Sequence, residues 1–107
     1  MSEYRAPLQE IRFVLRELAS LEQIATLPGC EEATPDVVDA VLDEAAKFAH
    51  EVLSPLNVVG DREGARWQDK TVVTAPGFAD AYRQFVDNGW NGLACDPDFG
   101  GQGLPTL

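Results

Sequence analysis

Apolar residues recur at helical spacing along three stretches of the chain. In PLQEIRFVLRELASL, Leu8, Ile11, Val14, Leu15, Leu18 and Leu21 fall on one stripe. Glu10, Arg12, Arg16 and Glu17 face away from it, and Phe13 lies off it. This spacing predicts an amphipathic helix, closed by Pro28-Gly29. The second stretch opens on Thr34-Pro35-Asp36: a hydroxyl to cap the first free amides, a proline where no N–H is needed, and a negative charge at the positive end of the helix dipole. From there Val38, Val41, Leu42, Ala45, Phe48, Ala49, Val52 and Leu56 point inward, while Asp39, Asp43, Lys47, His50 and Glu51 lie on the flanks or outward. Pro55 is expected to kink or end this helix near Leu53, because its ring clashes with the preceding turn. The third stretch, PGFADAYRQFVDNG, predicts a helix from about Pro76 that buries Phe78, Ala81, Tyr82, Phe85 and Val86, with Gly89 as its left-handed stop.

Between the last two lies GDREGARWQDKTVVTAPG, rich in glycine and charge. Its KTVVT has strand character, but one such run cannot build a sheet. The segment reads as a connection with at most a small extended piece. The pattern as a whole is all-α: three to four helices joined by glycine-rich connections, without internal repeat, low-complexity segment or linker.

The chain has 107 residues, 45% hydrophobic and 24% charged, enough for one modest domain. No apolar run approaches a membrane span, and the N-terminus lacks the basic start and apolar stretch of a secretory signal, so a cytoplasmic protein is expected. Eighteen acidic against eight basic residues give a net charge of -10. Such a surface repels nucleic-acid backbones and anionic membranes, so neither is an expected partner. Cys30, Cys95 and His50 are too few and too scattered for a zinc spacing, and two reduced, buried thiols are expected.

The glycine loop CDPDFGGQGLP invites a ligand, and each template fails at a definite position. A dinucleotide fingerprint on Gly101 and Gly103 needs a third glycine where Thr106 stands, and no strand precedes it. A Walker loop needs a lysine, and none follows Lys70. Asp98-Phe99-Gly100 spells the kinase triplet without the catalytic-loop pattern. Asp96-Pro97-Asp98 opens like an EF-hand whose closing glutamate is replaced by Leu107. A structural turn remains, with glycines supplying positive φ and close backbone approach, and Phe99 anchoring the loop in a core. His50 has no partner at a spacing that makes a base. Asp61 with Glu63, and Glu31 with Glu32, read as solvated turn residues, and Trp67 and Trp90 as packed anchors. The residues alone describe an acidic helical module with no catalytic, cofactor-binding or metal-ligating residue to assign.

The order of features adds a resemblance. ATPDVVDAVLDEAAKFAHEVLSPLNVVGDREG, then a helix, then NGWNGLACDPDFGGQGLP, resembles the start of the acyl-CoA dehydrogenases. Pro97, Asp98, Phe99, Gly100, Gly101 and Gly103 match that family's proline–acidic–aromatic–Gly-Gly-x-Gly loop. The opening YRAPLQEIRFVLRELASLEQIATLPGCEEATPD is similar to the N-terminal extension of one long branch, the 3-methylmercaptopropionyl-CoA dehydrogenases and their relatives. The resemblance implies residues 1–33 as a helical extension and residues 34–107 as the first part of the family's N-terminal helical domain. It implies FAD as cofactor, an acyl-CoA substrate, an electron-transfer flavoprotein as acceptor and a homo-oligomeric parent. The family's catalytic base and main cofactor contacts fall beyond Leu107. The expectation is therefore an N-terminal piece, inactive and free of flavin by itself, whose uncovered apolar surface self-associates. The alternative from another class is a free-standing acidic helical module for protein interaction.

Overall fold

A helical rod runs from Pro35 to Glu63. In this computed structural model, which describes residues 3–107, it consists of helix α3 (Pro35–Phe48), a π-helical turn (Ala49–Leu53) and helix α4 (Ser54–Glu63). The start follows the sequence closely. Thr34 is extended, and its hydroxyl accepts the Val37 N–H at 3.4 Å, with Pro35 in the first turn. The passage through Pro55 is the surprise. A proline ring inside a regular helix meets the carbonyl four residues back. Here the turn ahead of it is one residue wider, with the Ser54 N–H donating to the Ala49 carbonyl, and the helix continues instead of ending. Asp61 and Glu63, expected in a turn, sit in the last helical turn.

The same π turn holds the N-terminal segment. Tyr4 donates its N–H to the Ser54 hydroxyl at 3.1 Å, and its carbonyl lies 2.9 Å from His50 Nδ1. A carbonyl can only accept, so His50 carries its proton on Nδ1.

The first predicted helix is broken into pieces. Helix α1 (Leu8–Phe13) passes into a π turn (Val14–Leu18), where Ala19 N–H reaches the Val14 carbonyl at 2.9 Å. Ser20, at φ 55, then ends it, and α2 (Leu21–Ile24) begins. The wider turn rotates the stripe off register. Leu8, Ile11 and Leu15 stay half-buried, whereas Val14 is exposed and Leu18 is 71% exposed. Arg12 and Arg16 do not face away. Arg12 donates to Asp39 (3.0 Å) and Asp43 (2.6 Å), and Arg16 to Asp39 (2.6 Å). The crossed order, with the later arginine on the earlier aspartate, fixes α1 antiparallel to α3. The two carboxylates hold the Arg12 guanidinium above its ordinary pKa.

Beyond α4, strands β1 (Arg66–Gln68) and β2 (Thr71–Val73) pair antiparallel as a hairpin, with Trp67 opposite Val72. Asp69 and Lys70 both take positive φ (50 and 64), the geometry of a type I′ turn. KTVVT therefore does have a strand partner, and the segment is more ordered than expected. Trp67 is 72% exposed rather than a packed anchor.

Helix α5 (Phe78–Asp87) starts at Gly77 and stops at Gly89, both at positive φ (89 and 78). It meets the rod through Phe85 against Phe48, ring centroids 6.4 Å apart, and through Phe78 over Gly60. A Cβ on Gly60 would stand 2.8 Å from the Phe78 ring, so this mid-helix glycine, which reads as a turn in the sequence, permits close approach. Ala81 is buried, but Phe78, Tyr82 and Val86, expected inside, are exposed.

The result is a slab of 53 × 36 × 17 Å with a radius of gyration of 17.1 Å, where about 13 Å is usual for this length. Its thickness is less than two helix diameters. Only Leu21, Ala33, Ala75 and Ala81 are fully buried among the described residues. No helix among them is long and apolar enough to cross a membrane.

Two outcomes follow from these contacts. Thr34→Ala is expected to cost about 1 kcal/mol of stability by denaturant titration, the usual value of a helix N-cap. Asp39→Asn frees Arg16 and leaves Arg12 on Asp43 alone, and is expected to lower the thermal midpoint by a few degrees, with the deficit narrowing at high salt as the wild-type pairs are screened.

Candidate functional site

The concavity with the most varied lining lies between the rod and the C-terminal end of α5. Its volume is about 560 Å³, and the glycine loop reaches it through Gln102. Val41, Phe48 and Val52 from the rod and Trp90 and Leu93 from the segment after α5 give it an apolar floor. Glu44, Lys47 and Glu51 stand on one rim, with Gln84, Asn88 and Gln102 on the other. The size falls in the usual range of ligand clefts. The rim groups are not arranged for chemistry: none of Glu44, Lys47 and Glu51 is buried, and no nucleophile stands beside a base. The arrangement suits an apolar body with a polar edge.

On this side Gly89, Trp90, Leu93 and Gln102 line the cleft; Gly89 opens a 3₁₀ turn (Trp90–Gly92), and a second 3₁₀ turn (Pro97–Phe99) lies in the loop behind them. Asp96 caps the second turn, its carboxylate accepting the Asp98 N–H at 2.9 Å. Gly100 and Gly103 take φ 88 and 69. Gly101 is glycine for another reason: a Cβ there would collide with the Cys95 carbonyl.

An anion-binding loop needs free amides converging on its ligand. Here the N–H groups of residues 99–104 are all consumed by backbone carbonyls. Phe99 and Gly101 donate to Asp96, Gly100 to Pro97, Gln102 to Gly92, Gly103 to Cys95 and Leu104 to Leu93, at 2.9–3.1 Å. The loop has no amide left for a phosphate or for the pyrophosphate of a dinucleotide, so these residues do not fit an FAD site. Phe99 is no anchor either. It is 90% exposed, and the backbone bonds, not its ring, hold the loop.

The remaining candidates are dispersed. His50 is half-buried and bonded to Tyr4, away from the cleft. Cys30 is half-buried, and Cys95 is exposed rather than buried; both are free thiols. Among the described residues, no three His, Cys, Asp or Glu side chains come together to hold a metal ion. Glu31 closes the turn after α2, its carboxylate accepting its own N–H and that of Gly29, and these bonds hold its pKa below the ordinary 4.5. Sequence reasoning missed the cleft itself, because its two walls are far apart in the chain. Phe48, Trp90 and the glycines were its legible parts.

Comparison with known proteins gives one strong match. The chain is 39% identical over 104 residues to the 3-methylmercaptopropionyl-CoA dehydrogenase of Ruegeria pomeroyi (strain ATCC 700808 / DSM 15171 / DSS-3). Nearly the whole of this chain is thus similar in sequence to one stretch of an acyl-CoA dehydrogenase. The match takes in 97% of this chain but 18% of that protein, so the chain spans under a fifth of its relative's length. No protein-family model matches the chain. The mostly helical fold agrees with the N-terminal helical part of this enzyme family.

Gly101→Ala is expected to open the loop and speed hydrogen exchange at Gln102, Gly103 and Leu104 by several-fold to about tenfold, which is what losing one hydrogen bond allows. Phe99→Ser is expected to leave those rates unchanged. The Glu31 carboxyl is expected to titrate below 4.5 by NMR. Since folding depresses this pKa, its contribution to stability is complete above that value and fades as the pH falls through the folded pKa.

Proposed function

We propose that the chain is the opening part of a flavin-dependent acyl-CoA dehydrogenase, with residues 1–33 as an N-terminal helical extension and residues 34–107 as the first part of the N-terminal helical domain. The parent enzyme removes the α and β hydrogens of an acyl-CoA thioester, passes the electrons to FAD and hands them to an electron-transfer flavoprotein. The observation that carries this reading is the 39% identity to a named dehydrogenase along nearly the whole chain. The consumed loop amides support a division of labour, in which the catalytic base and the main FAD and CoA contacts belong to other parts of the parent. By itself the chain is inactive and binds no flavin. Its contribution is a wall: the rod, α5 and the bonded loop present an apolar-floored cleft to the rest of the enzyme.

Exchange of the matched segment tests this directly. Placing this chain in the Ruegeria pomeroyi relative is expected to give a yellow protein whose acyl-CoA-dependent electron transfer stays within an order of magnitude of the unaltered enzyme. A chimera that folds and holds flavin but shows no acyl-CoA-dependent turnover overturns the reading. The chain purified alone is expected to be colourless, and flavin at stoichiometric amount would contradict the assignment of its contacts elsewhere.

A further inference from the structure

Two sites share the wide turn of the rod. Glu51 and Val52, inside the π turn, line the cleft together with Phe48 and Trp90. His50, in the same turn, and Ser54, the first residue of α4, hold Tyr4 of the N-terminal segment. Both bonds use the backbone of one residue, the Tyr4 N–H on the Ser54 hydroxyl and the Tyr4 carbonyl at His50 Nδ1. Tyr4 thus clasps the turn along its length, with one bond near each end. Both bonds are open to solvent, so they can be released without unfolding the rod.

The turn has two discrete arrangements. In the observed one the Ser54 N–H reaches back to the Ala49 carbonyl, and the helix passes Pro55 without a break. In the ordinary α-helical one the Ser54 N–H would return to His50, and the Pro55 ring would press on the Glu51 carbonyl and kink the rod. Helix α5 sits across this point. Phe85 meets Phe48 ahead of the turn, and Phe78 covers Gly60 beyond it. A kink therefore displaces Glu51, shifts the two seats of α5 against each other, and moves Trp90 relative to Val52.

We propose that the N-terminal segment is a strap that sets the shape of the cleft, with Tyr4 holding the rod in its wide-turn form by clasping His50 and Ser54. The bonds of Arg12 to Asp39 and Asp43 keep the strap laid along the rod. His50 and Ser54 are positioning residues, acting on the cleft through the turn they share with Glu51 and Val52. The inference concerns the shape of the chain itself and stands apart from the dehydrogenase reading.

The test follows Trp90 fluorescence in the whole chain, with Trp67→Phe removing the other indole, together with amide exchange at Val52, Leu53 and Ser54. Tyr4→Pro removes the donor to Ser54, and Ser54→Ala removes its acceptor. Each is expected to speed exchange at those amides by several-fold to about tenfold, the effect of losing one hydrogen bond. Each is also expected to shift Trp90 emission to longer wavelength. Tyr4→Ala keeps the backbone groups and Ser54→Thr keeps the hydroxyl, so both should match the wild type. Thr34→Ala, which weakens the start of the rod, should change neither reading, and helix content by circular dichroism should be the same throughout. Trp90 emission unmoved by Tyr4→Pro and Ser54→Ala overturns the proposal. So does an equal acceleration in Thr34→Ala, an effect of Ser54→Thr as large as that of Ser54→Ala, or a general loss of helix on Tyr4→Pro.

Discussion

The wide turn at Ala49–Leu53 lets one rod pass through Pro55 unbroken, and the rest of the structure is placed by that continuity. At the ordinary helical rise, Pro35 to Glu63 covers about 43 Å, most of the 53 Å long dimension. One end receives α1 through the crossed pairs of Arg12 and Arg16 with Asp39 and Asp43. The middle receives the N-terminal segment through His50 and Ser54. The far end receives α5 over Gly60. Had the helix stopped at Leu53, α4 would be free to swing, and Phe78 would lose the flat seat that Gly60 provides.

Because α1 and α5 each lean on one rod, neither encloses the other. Among the described residues burial is confined to four positions, mostly small ones: Ala33, Ala75 and Ala81 with Leu21. Burying so few large side chains leaves the entropy cost of ordering the chain largely unmet by apolar area. The contacts that do form are directional instead: caps, paired charges and backbone bonds. These set the geometry, while the missing stability has to come from whatever covers the slab.

That distinction also explains what was legible in the sequence. Several local signals were read correctly. The Thr34-Pro35 start, the Gly89 stop and the half-buried stripe of α3 depend on neighbours a few residues away. The order of motifs pointed to the acyl-CoA dehydrogenases, and the match to a member agrees. Burial was misread wherever it required a second layer. Tyr82, Val86, Leu18 and Trp67 are apolar in pattern, yet a pattern records only that a face suits burial, not that this chain buries it. The π turns were invisible because a one-residue widening leaves no compositional mark. Gly60 looked like a turn because a glycine for conformational freedom and a glycine for close approach are written with the same letter. The hairpin was missed because Asp69-Lys70 lacks the glycine that usually announces a type I′ turn. The cleft could not be read, since its walls meet only after α5 folds back on the rod.

The glycine loop draws these points together. Its composition suggests a cradle for an anion, and composition cannot decide the matter, because the same glycines serve a loop that binds and a loop that binds only itself. The decision lies in where the amides point. With the N–H groups of residues 99–104 spent on carbonyls from Asp96, Pro97, Gly92, Cys95 and Leu93, the loop is satisfied internally and fixed in shape. Gly101 gives the Cys95 carbonyl room, and Gly100 and Gly103, both at positive φ, make the reversals that fold the loop back on residues 92–96. A loop so constrained does not depend on Phe99 for its shape. It carries that ring outward on a rigid base, and it sets Trp90, Leu93 and Gln102 along one side of the cleft, so that its glycines act on the site through the wall they hold in place.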